Sequence, residues 1–256
     1  MSLVHLDELF LSIQGEAGQV GKPHLFLRLA GCPLRCNYCD TPRSWKRTAC
    51  VEVHHPGGTV THPNPWSPQQ LDERLHALAA EHGLNATDVV LSVTGGEPLA
   101  QVEFLSEWLP TWQGPVLLET AGIYADKLAR VLPHLDYVSL DCKDPDDLDV
   151  GEGLLQFERC LQLLVEEQQQ RSGAPFQFWL KFVLQKNTCS AWLQQKLRRI
   201  AERAPGSEVY LQPVTPGDTD RQPPSAESLL AELIQGHKLP LDLRVLPQIH
   251  PLLGVL

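Results

Sequence analysis

The sequence lacks any long apolar run. Nowhere in its 256 residues do eighteen apolar residues follow one another, whereas a transmembrane helix needs about 20. We therefore expect neither a membrane span nor a membrane partner. The opening residues, MSLVHLDELF, carry early acids and lack the basic start of a signal peptide. Together these absences predict a cytoplasmic protein.

Positive charge is also scarce. Lys and Arg number 21 against 31 Asp and Glu, which gives a formal net charge of −10. Such a surface repels phosphate backbones, so we expect no direct nucleic-acid partner, while small-molecule substrates stay open. Hydrophobic residues make up 43% of the chain, enough for a sizeable core. We expect a single domain over residues 1–256.

The cysteine content disfavours a secreted disulfide framework, because seven is an odd number and such frameworks are typical of shorter chains. Three of the cysteines are clustered in GCPLRCNYCDTP, residues 31–42, with the spacing C-x3-C-x2-C. In a reducing compartment, clustered thiols bind metal or carry chemistry. The other four are scattered and are interpreted as ordinary free thiols: Cys50, Cys142, Cys160 and Cys189.

Short apolar runs alternate with helical patterns along the chain. HLFLRLAG at 24–31 predicts a strand, and SPQQLDERLHALAAEHG at 67–83 predicts a helix that Ser67 caps. The alternation continues to LDLRVLPQ near the end of the chain and predicts a parallel sheet. We expect an α/β fold, a partial (β/α) barrel of about six to seven mainly parallel strands that is open at one side. The alternative is a flavodoxin-like open sheet.

Residues 49–66, ACVEVHHPGGTVTHPNPW, depart from this alternation. Residues of β type flank Pro56-Gly57-Gly58, which predicts a hairpin inserted near 43–66, after the cysteines. Three histidines and Cys50 lie in this segment and can in principle bind zinc. The plainer interpretation is a surface hairpin.

Three neighbouring thiols pose a question of coordination, because structural zinc sites have four ligands. Either a distant histidine or cysteine completes a zinc site, or the thiolates hold three irons of a [4Fe–4S] cluster and leave the fourth open to a ligand. TGGEP at 94–98 follows another strand, and its glycines let a ligand approach the backbone. An amino-acid-like ligand would donate its ammonium to exposed carbonyls and to Glu97.

C-x3-C-x2-C followed by strand–GGEP resembles the radical S-adenosylmethionine (SAM) superfamily. Longer pieces resemble the 7-carboxy-7-deazaguanine synthase family: LFLSIQGEAGQVGKPHLFLRLAGCPLRCNYCDTP, TGGEPL, LLETAG, LQPVTP and RVLPQIHPLLGVL. The resemblance implies a radical SAM lyase that converts 6-carboxy-5,6,7,8-tetrahydropterin to 7-carboxy-7-deazaguanine and ammonia, in biosynthesis of queuosine or related 7-deazapurines. It also implies a [4Fe–4S] cluster, SAM, Mg2+, a homodimer and an external electron donor such as flavodoxin.

The resemblance implies roles for particular residues. The cluster ligands are Cys32, Cys36 and Cys39, and Thr41 offers its hydroxyl to Mg2+. SAM lies against Tyr38, Cys39, Asp40, Gly96, Ser139, Asp141, Lys143 and Gln212. The pterin contacts Ile13, Gln14, Gly15, Arg28, Thr94, His250 and Leu256. The sequence assigns no general acid or base.

Arg28 also stands out without the resemblance, because it lies in an otherwise apolar strand. A buried guanidinium needs a partner, and either a substrate carboxylate or an internal ion pair can supply it.

Some positions depart from the family pattern. Ala17 stands where the family usually has Gly, and Pro251 where it usually has Lys. SLDCK replaces the usual SPK, which puts the register of Ser139, Asp141 and Lys143 in doubt. The alternatives are another radical SAM enzyme, such as a glycyl-radical activase, and a zinc module without catalytic activity.

Overall fold

The strands belong to one mixed sheet in the computed structural model of the chain, which describes residues 2–147, 156–171, 176–216 and 221–256. Within these residues the sheet has ten strands in the order β10-β9-β8-β7-β6-β5-β2-β1-β3-β4. They are β1 Leu6–Ile13, β2 Pro23–Leu29, β3 Cys50–His55, β4 Gly58–Pro63, β5 Val90–Gly95, β6 Val116–Thr120, β7 Tyr137–Asp141, β8 Gln177–Leu184, β9 Glu208–Pro213 and β10 Asp242–Val245.

Seven consecutive strands of the sheet, β2 and β5 to β10, all run parallel to one another. The two outermost strands, β4 and β10, do not pair with each other within the described residues, so the sheet is open. This architecture confirms the predicted partial barrel. The hairpin predicted near 43–66 is formed by β3 and β4. The unforeseen part is β1, which runs antiparallel to β2 and joins this hairpin to the sheet through β3.

Helices connect the parallel strands. They are α1 Pro68–Glu81, α2 Val102–Trp108, α3 Ala125–Val131, α4 Phe157–Gln170, α5 Ser190–Arg203, α6 Ala226–Gly236 and α7 His250–Leu253. The sequence pattern also predicts a helix near 153–171, and the start of that helix lies outside the described residues. None of the helices in the described ranges is both long and apolar enough to cross a membrane.

Helix α1 forms where its capping residues predict it. The Ser67 hydroxyl accepts a hydrogen bond from the Gln70 amide, and the Gln70 side chain accepts one from the Ser67 amide. This reciprocal pair satisfies two backbone donors that the first turn leaves open. The buried face of the helix, which includes Leu71, Leu75 and Leu78, joins the main core.

Alternation along the strands separates the core from a polar interior. In β8, Phe178, Leu180 and Phe182 belong to the main core with the helices, whereas Lys181 and Val183 line a cavity on the other face of the sheet. Lys181, the charged residue of an otherwise apolar run, therefore lies on the cavity side of β8.

The antiparallel direction of β1 determines what closes the cavity at its lower end. Ile13 pairs with Pro23, at the end of β2 far from the cysteines. The following segment crosses toward β8, where a Cβ atom on Gly18 would meet the Trp179 ring at 2.8 Å. Residues 14–19 therefore form the floor of the barrel, between its parallel strands.

His24 is a fully buried histidine on the inner face of β2. Its Nδ1 lies 2.7 Å from the Ser92 hydroxyl, and burial lowers its pKa to about 4. An unfolded histidine titrates near 6.5, so between these values the unfolded chain binds the extra proton. The contribution of His24 to the free energy of unfolding is therefore fully present above pH ~6.5 and is lost as the pH drops toward 4.

We expect the wild type to lose roughly 3 kcal/mol of unfolding free energy from this histidine between pH 7 and pH 4. The comparison is with His24→Gln, which has no group titrating in that window. Urea unfolding at stepwise pH measures both proteins. Parallel pH profiles for the two would contradict the prediction.

Candidate active site

A single cavity brings together nearly all the residues that the sequence singled out. It opens at the carboxyl ends of the parallel strands, where barrel enzymes build their sites, and residues 13–16 close it below. Among the predicted site residues, those lining it are Ile13, Gln14, Gly15, Arg28, Cys32, Cys36, Tyr38, Cys39, Asp40, Thr41, Thr94, Gly96, Asp141, Lys143, Gln212, His250 and Leu256. Ser139 is buried in β7 and does not line the cavity.

The cysteine loop leaves β2 through Gly31, whose φ of +103° favours glycine. The Gly31 amide donates to the Ser44 carbonyl at 2.7 Å. Arg35 donates to the Cys32 carbonyl at 2.7 Å and lies 5.2 Å from the centre of the Trp45 ring. These contacts fold the loop back on itself, so its three thiols face the cavity.

The thiols of this cavity fit an iron–sulfur cluster. Among the cysteines of the described residues, Cys32, Cys36 and Cys39 line the cavity and no fourth one does. A structural zinc site has four ligands, whereas three thiolates suit a [4Fe–4S] cluster that keeps one iron for another ligand.

Burial keeps the thiols of Cys32 and Cys36 protonated in the absence of metal. It raises the pKa of the Cys32 thiol to about 12 and raises that of Cys36 as well. A bound metal takes thiolate ligands, so its binding releases these protons.

The TGGEP segment packs directly on the cysteine loop. The Gly96 amide donates to the Leu29 carbonyl at 2.9 Å, and the Glu97 amide donates to the Gly31 carbonyl at 3.1 Å. A Cβ atom on Gly96 would lie 2.6 Å from the Gly31 oxygen and 2.9 Å from the Ser44 oxygen. Glycine is needed here because two backbones meet.

Glu97 does not face the cavity, so the expectation that it receives a ligand ammonium is wrong. Its buried carboxylate accepts hydrogen bonds from the Leu99 amide, the Thr120 hydroxyl and the Ala121 amide, at 2.9 to 3.0 Å. These three donors hold the loop after β5 against β6. The glutamate of GGEP thus fixes the position of the two glycines before it.

We expect Gly96→Ala to destabilise the protein by about 1–3 kcal/mol, as overpacking does, and to lower the cluster iron retained. The added methyl meets backbone atoms of the cysteine loop, which cannot yield without moving the thiols. Gly57→Ala is the matched control, because its Cβ would meet nothing within 4 Å. Thermal unfolding and iron content measure the effect, and equal behaviour of the two variants would refute it.

A buried ion-pair network crosses the cavity. Lys181 Nζ lies 2.5 Å from Glu16 Oε2 and 3.3 Å from Asp141 Oδ1, and Lys143 Nζ lies 2.6 Å from Asp141 Oδ2. Burial acts to raise the pKa of Glu16, but the Lys181 ammonium outweighs it and lowers this pKa to about 2. Burial likewise opposes the charge on Lys143, yet the Asp141 carboxylate raises its pKa. The nearby carboxylates likewise raise the pKa of Lys181, so Glu16, Lys143 and Lys181 are charged at neutral pH.

Gln248 ties this network to the cysteine loop. Its amide nitrogen donates to Glu16 Oε1 at 2.6 Å and to Asp40 Oδ2 at 3.0 Å. The Thr41 hydroxyl donates to Asp40 Oδ1 at 3.2 Å. The residues just after the last cysteine thus present oxygen atoms beside the thiols.

Glu119 is a second buried carboxylate in the cavity wall. It accepts hydrogen bonds from Gln14 Nε2 and from the Thr94 hydroxyl, both at 2.9 Å, and burial raises its pKa. Because both donors are uncharged side chains, this carboxylate is suited to receiving further N–H donors from a ligand.

The chain from Ile249 onward packs against the floor. The Ile249 amide donates to the Gly15 carbonyl at 3.0 Å. A Cβ atom on Gly15 would come within 2.2 Å of His250 Nδ1, so only glycine lets this ring reach the cavity. The Ser12 hydroxyl donates to the Leu256 backbone oxygen at 2.8 Å.

Arg28 has the internal ion pair that the sequence left open. Its Nε lies 2.8 Å from Glu8 Oε2. Arg28 nonetheless lines the cavity, beside Phe10 and Phe26. An ion-pair partner and access to a ligand therefore coexist at this side chain.

Four of these cavity residues were not predicted from the sequence: Glu16, Glu119, Lys181 and Gln248. A usable signal existed for two of them, because a charged residue interrupts each of the apolar runs PVLLET and FQFWLKFVL. The other two follow strands in irregular segments, where no periodicity marks a direction.

Residues 14–120 match a family profile described as a 4Fe-4S single cluster domain. A 7-carboxy-7-deazaguanine synthase of Methanopyrus kandleri is 35% identical, over 97% of this chain and 93% of its own length. One from Geobacter sulfurreducens is 32% identical, over 98% and 97%. The crystal structure of QueE from Escherichia coli matches with a TM-score of 0.60 at 19% identity, over 94% of each chain.

A radical SAM methyltransferase from Sphaerobacter thermophilus shares the fold, with a TM-score of 0.54 at 14% identity over 93% of this chain and 77% of its own. The open barrel is thus the fold of radical SAM enzymes, and the three-thiol loop lies in the part of the chain that matches a 4Fe-4S cluster domain. Identity over nearly the whole chain narrows the class: the chain belongs to the 7-carboxy-7-deazaguanine synthase family, lyases of deazapurine biosynthesis. The zinc module and the glycyl-radical activase are thereby set aside.

Proposed function

We propose that the cavity converts 6-carboxy-5,6,7,8-tetrahydropterin to 7-carboxy-7-deazaguanine with release of ammonia. The observation that carries this assignment is the placement of three thiols, a charged network and Arg28 around one cavity. A cluster at the thiols and a carboxylate at the arginine then share one enclosed space.

Cys32, Cys36 and Cys39 hold the cluster. When bound, the cluster would supply one electron for the cleavage of SAM, and SAM itself would supply the radical that starts the reaction. The SAM side of the cavity is formed by Tyr38, Cys39, Asp40, Gly96, Asp141, Lys143 and Gln212, with Ser139 behind them in β7. Because Gly96 has no side chain and Lys143 carries a charge, this side offers both exposed backbone and a cation to an amino-acid group.

The pterin lies between this side and the floor. Arg28 offers its guanidinium to the pterin carboxylate, since a planar fork suits that group. Glu119 accepts N–H donors of the pyrimidine ring, and Gln14 and Thr94 hold Glu119 in place. Ile13, Gly15, His250 and Leu256 line the same end.

Mg2+ lies at Thr41. The neighbouring Asp40 oxygens support this assignment, because Mg2+ prefers hard oxygen ligands and keeps several waters. Removal of Mg2+ lowers pterin turnover while leaving the cluster iron in place.

Anaerobic incubation with SAM, reductant and the carboxypterin tests the function. Mass analysis is expected to show 7-carboxy-7-deazaguanine and one equivalent of ammonia, with SAM regenerated. The formation of 5′-deoxyadenosine with the pterin left untouched would instead favour a different radical SAM substrate. A colourless, zinc-loaded protein after oxygen-free isolation would overturn the assignment entirely.

The remaining expectations concern the enzyme's surroundings. The chain acts in the cytoplasm as a homodimer, takes electrons from a donor such as flavodoxin and makes no direct contact with nucleic acid, in keeping with its net charge of −10. Light scattering measures the dimer, and turnover with reduced flavodoxin in place of dithionite measures the donor.

A further inference from the structure

A row of charged residues runs across the sheet from Arg28, which lines the cavity, to the hairpin of β3 and β4. In the strand register, Arg28 of β2 pairs with Glu8 of β1, and Glu8 pairs with Glu52 of β3. Side chains at paired positions share one face of the sheet. The row therefore begins at a residue that lines the cavity and ends on the hairpin.

Glu8 contacts Arg28 in a way that leaves the guanidinium directed elsewhere. Nε of Arg28 lies 2.8 Å from Glu8 Oε2, but the geometry is not that of a hydrogen bond, and within the described residues this nitrogen has no hydrogen-bond partner. The guanidinium carbon also lies 5.6 Å from the centre of the Phe10 ring. A carboxylate on one side and an aromatic face on another restrict where the fork can point.

Glu8 is itself held by the hairpin and by the segment after the cysteines. His54 Nε2 lies 3.2 Å from Glu8 Oε1, and His54 Nδ1 lies 2.9 Å from the Thr59 hydroxyl. The His54 ring also meets Phe10 edge to face at 5.9 Å. Both nitrogens of this histidine are engaged, so its ring is fixed against the wall that carries Arg28.

Arg43 supplies the positive charge that this row needs. Its guanidinium contacts Glu8 Oε1 at 2.9 Å, Glu52 Oε1 at 2.8 Å and Asp7 Oδ1 at 2.9 Å. Two carboxylates opposite each other on adjacent strands repel, and Arg43 offsets this repulsion. The Arg43 guanidinium therefore already balances the negative charge of Glu8 and Glu52, and we propose no metal site at Glu8, Glu52 and His54.

We propose that Glu8 is a positioning residue that aims Arg28 at the pterin carboxylate, and that His54 of the hairpin holds Glu8 for this task. The inference rests on the proposed contact between Arg28 and the substrate. It gives the hairpin a part in substrate recognition, although the hairpin does not itself line the cavity.

The test uses binding of two oxidised, fluorescent probes, 6-carboxypterin and pterin, to the anaerobic holoenzyme with SAM present. Their ratio of dissociation constants isolates recognition of the carboxylate. Glu8→Gln is expected to reduce the wild-type preference for 6-carboxypterin about tenfold, or about 1.4 kcal/mol, with iron content unchanged. Glu52→Gln is the matched control, because Glu52 shares Arg43 but does not contact Arg28, and it should stay within about twofold.

Two further variants keep the inference falsifiable if Glu8→Gln folds poorly. His54→Phe keeps the ring against Phe10 but loses the contact to Glu8, and we expect about a threefold loss of preference. In an Arg28→Ala background, which removes the group being aimed, Glu8→Gln should have no further effect on the ratio.

The outcomes distinguish the contact between Arg28 and the substrate from the positioning role of Glu8. A wild type that binds both probes equally would overturn the Arg28 contact and the positioning with it. A wild-type preference that Arg28→Ala abolishes but Glu8→Gln leaves intact would overturn only the positioning role. An effect of Glu8→Gln that persists in full without Arg28 would show a merely structural role.

Discussion

Replacing Cys36 by alanine is expected to lower pterin turnover at least about a thousandfold, which corresponds to about 4 kcal/mol of activation free energy. The Cys36 thiol faces the cavity with those of Cys32 and Cys39. Without it, the cluster has two thiolate ligands in place of three and is no longer held in a fixed orientation. Iron and sulfide content should fall with activity. Anaerobic reconstitution followed by metal analysis and single-turnover assays measures both quantities.

The control is Cys50→Ala. Cys50 is an exposed thiol at the start of β3, outside the cavity, so iron content and activity should match the wild type. If the Cys36 variant retained full cluster content and turnover, the thiol would not be a ligand and the radical SAM assignment of this loop would fail.

Replacing Lys181 by methionine should cost roughly 3–5 kcal/mol of stability, the range found when one partner of a buried ion pair is removed. Lys181 is 7% exposed and compensates both Glu16 and Asp141. Without the ammonium, Glu16 is left as a buried charge. Urea unfolding at pH 7 gives the difference in unfolding free energy.

Two variants test the physical cause. Lys196→Met breaks a looser pair with Glu158, at 3.7 Å and more exposed, and should cost less than about 1 kcal/mol. Glu16→Gln added to Lys181→Met should recover part of the lost stability, because it removes the uncompensated charge. Equal losses for the two lysine variants would mean that the network contributes no more than a surface pair.

The sequence could predict the parallel sheet and the cysteine loop because each has a local cause. Apolar runs bounded by capped helices, such as the one starting at Ser67, specify strand–helix units, and the spacing of three thiols specifies a shared ligand. The residues that carry each signal lie close together in the sequence. The local structure that each signal specifies therefore depends little on the rest of the chain.

What the sequence could not show depends on partners distant along the chain. Glu97 follows the glycines of a recognisable motif, yet contacts with Thr120 and Ala121 turn it away from the cavity. Arg28 reads as an unpaired buried cation until the register places Glu8 beside it. Pairings across tens of residues carry no periodic signature in the sequence.

The hydrogen bonds from Gln248 to Glu16 and Asp40 have a consequence for how the enzyme matures during synthesis. The cysteine loop leaves the ribosome early, since a chain emerges from its N-terminal end. Gln248, however, which hydrogen-bonds both the floor and the thiol loop, is made more than 200 positions later. We therefore expect ribosome-bound chains stalled before residue 248 to load iron poorly, because their pocket is not yet complete.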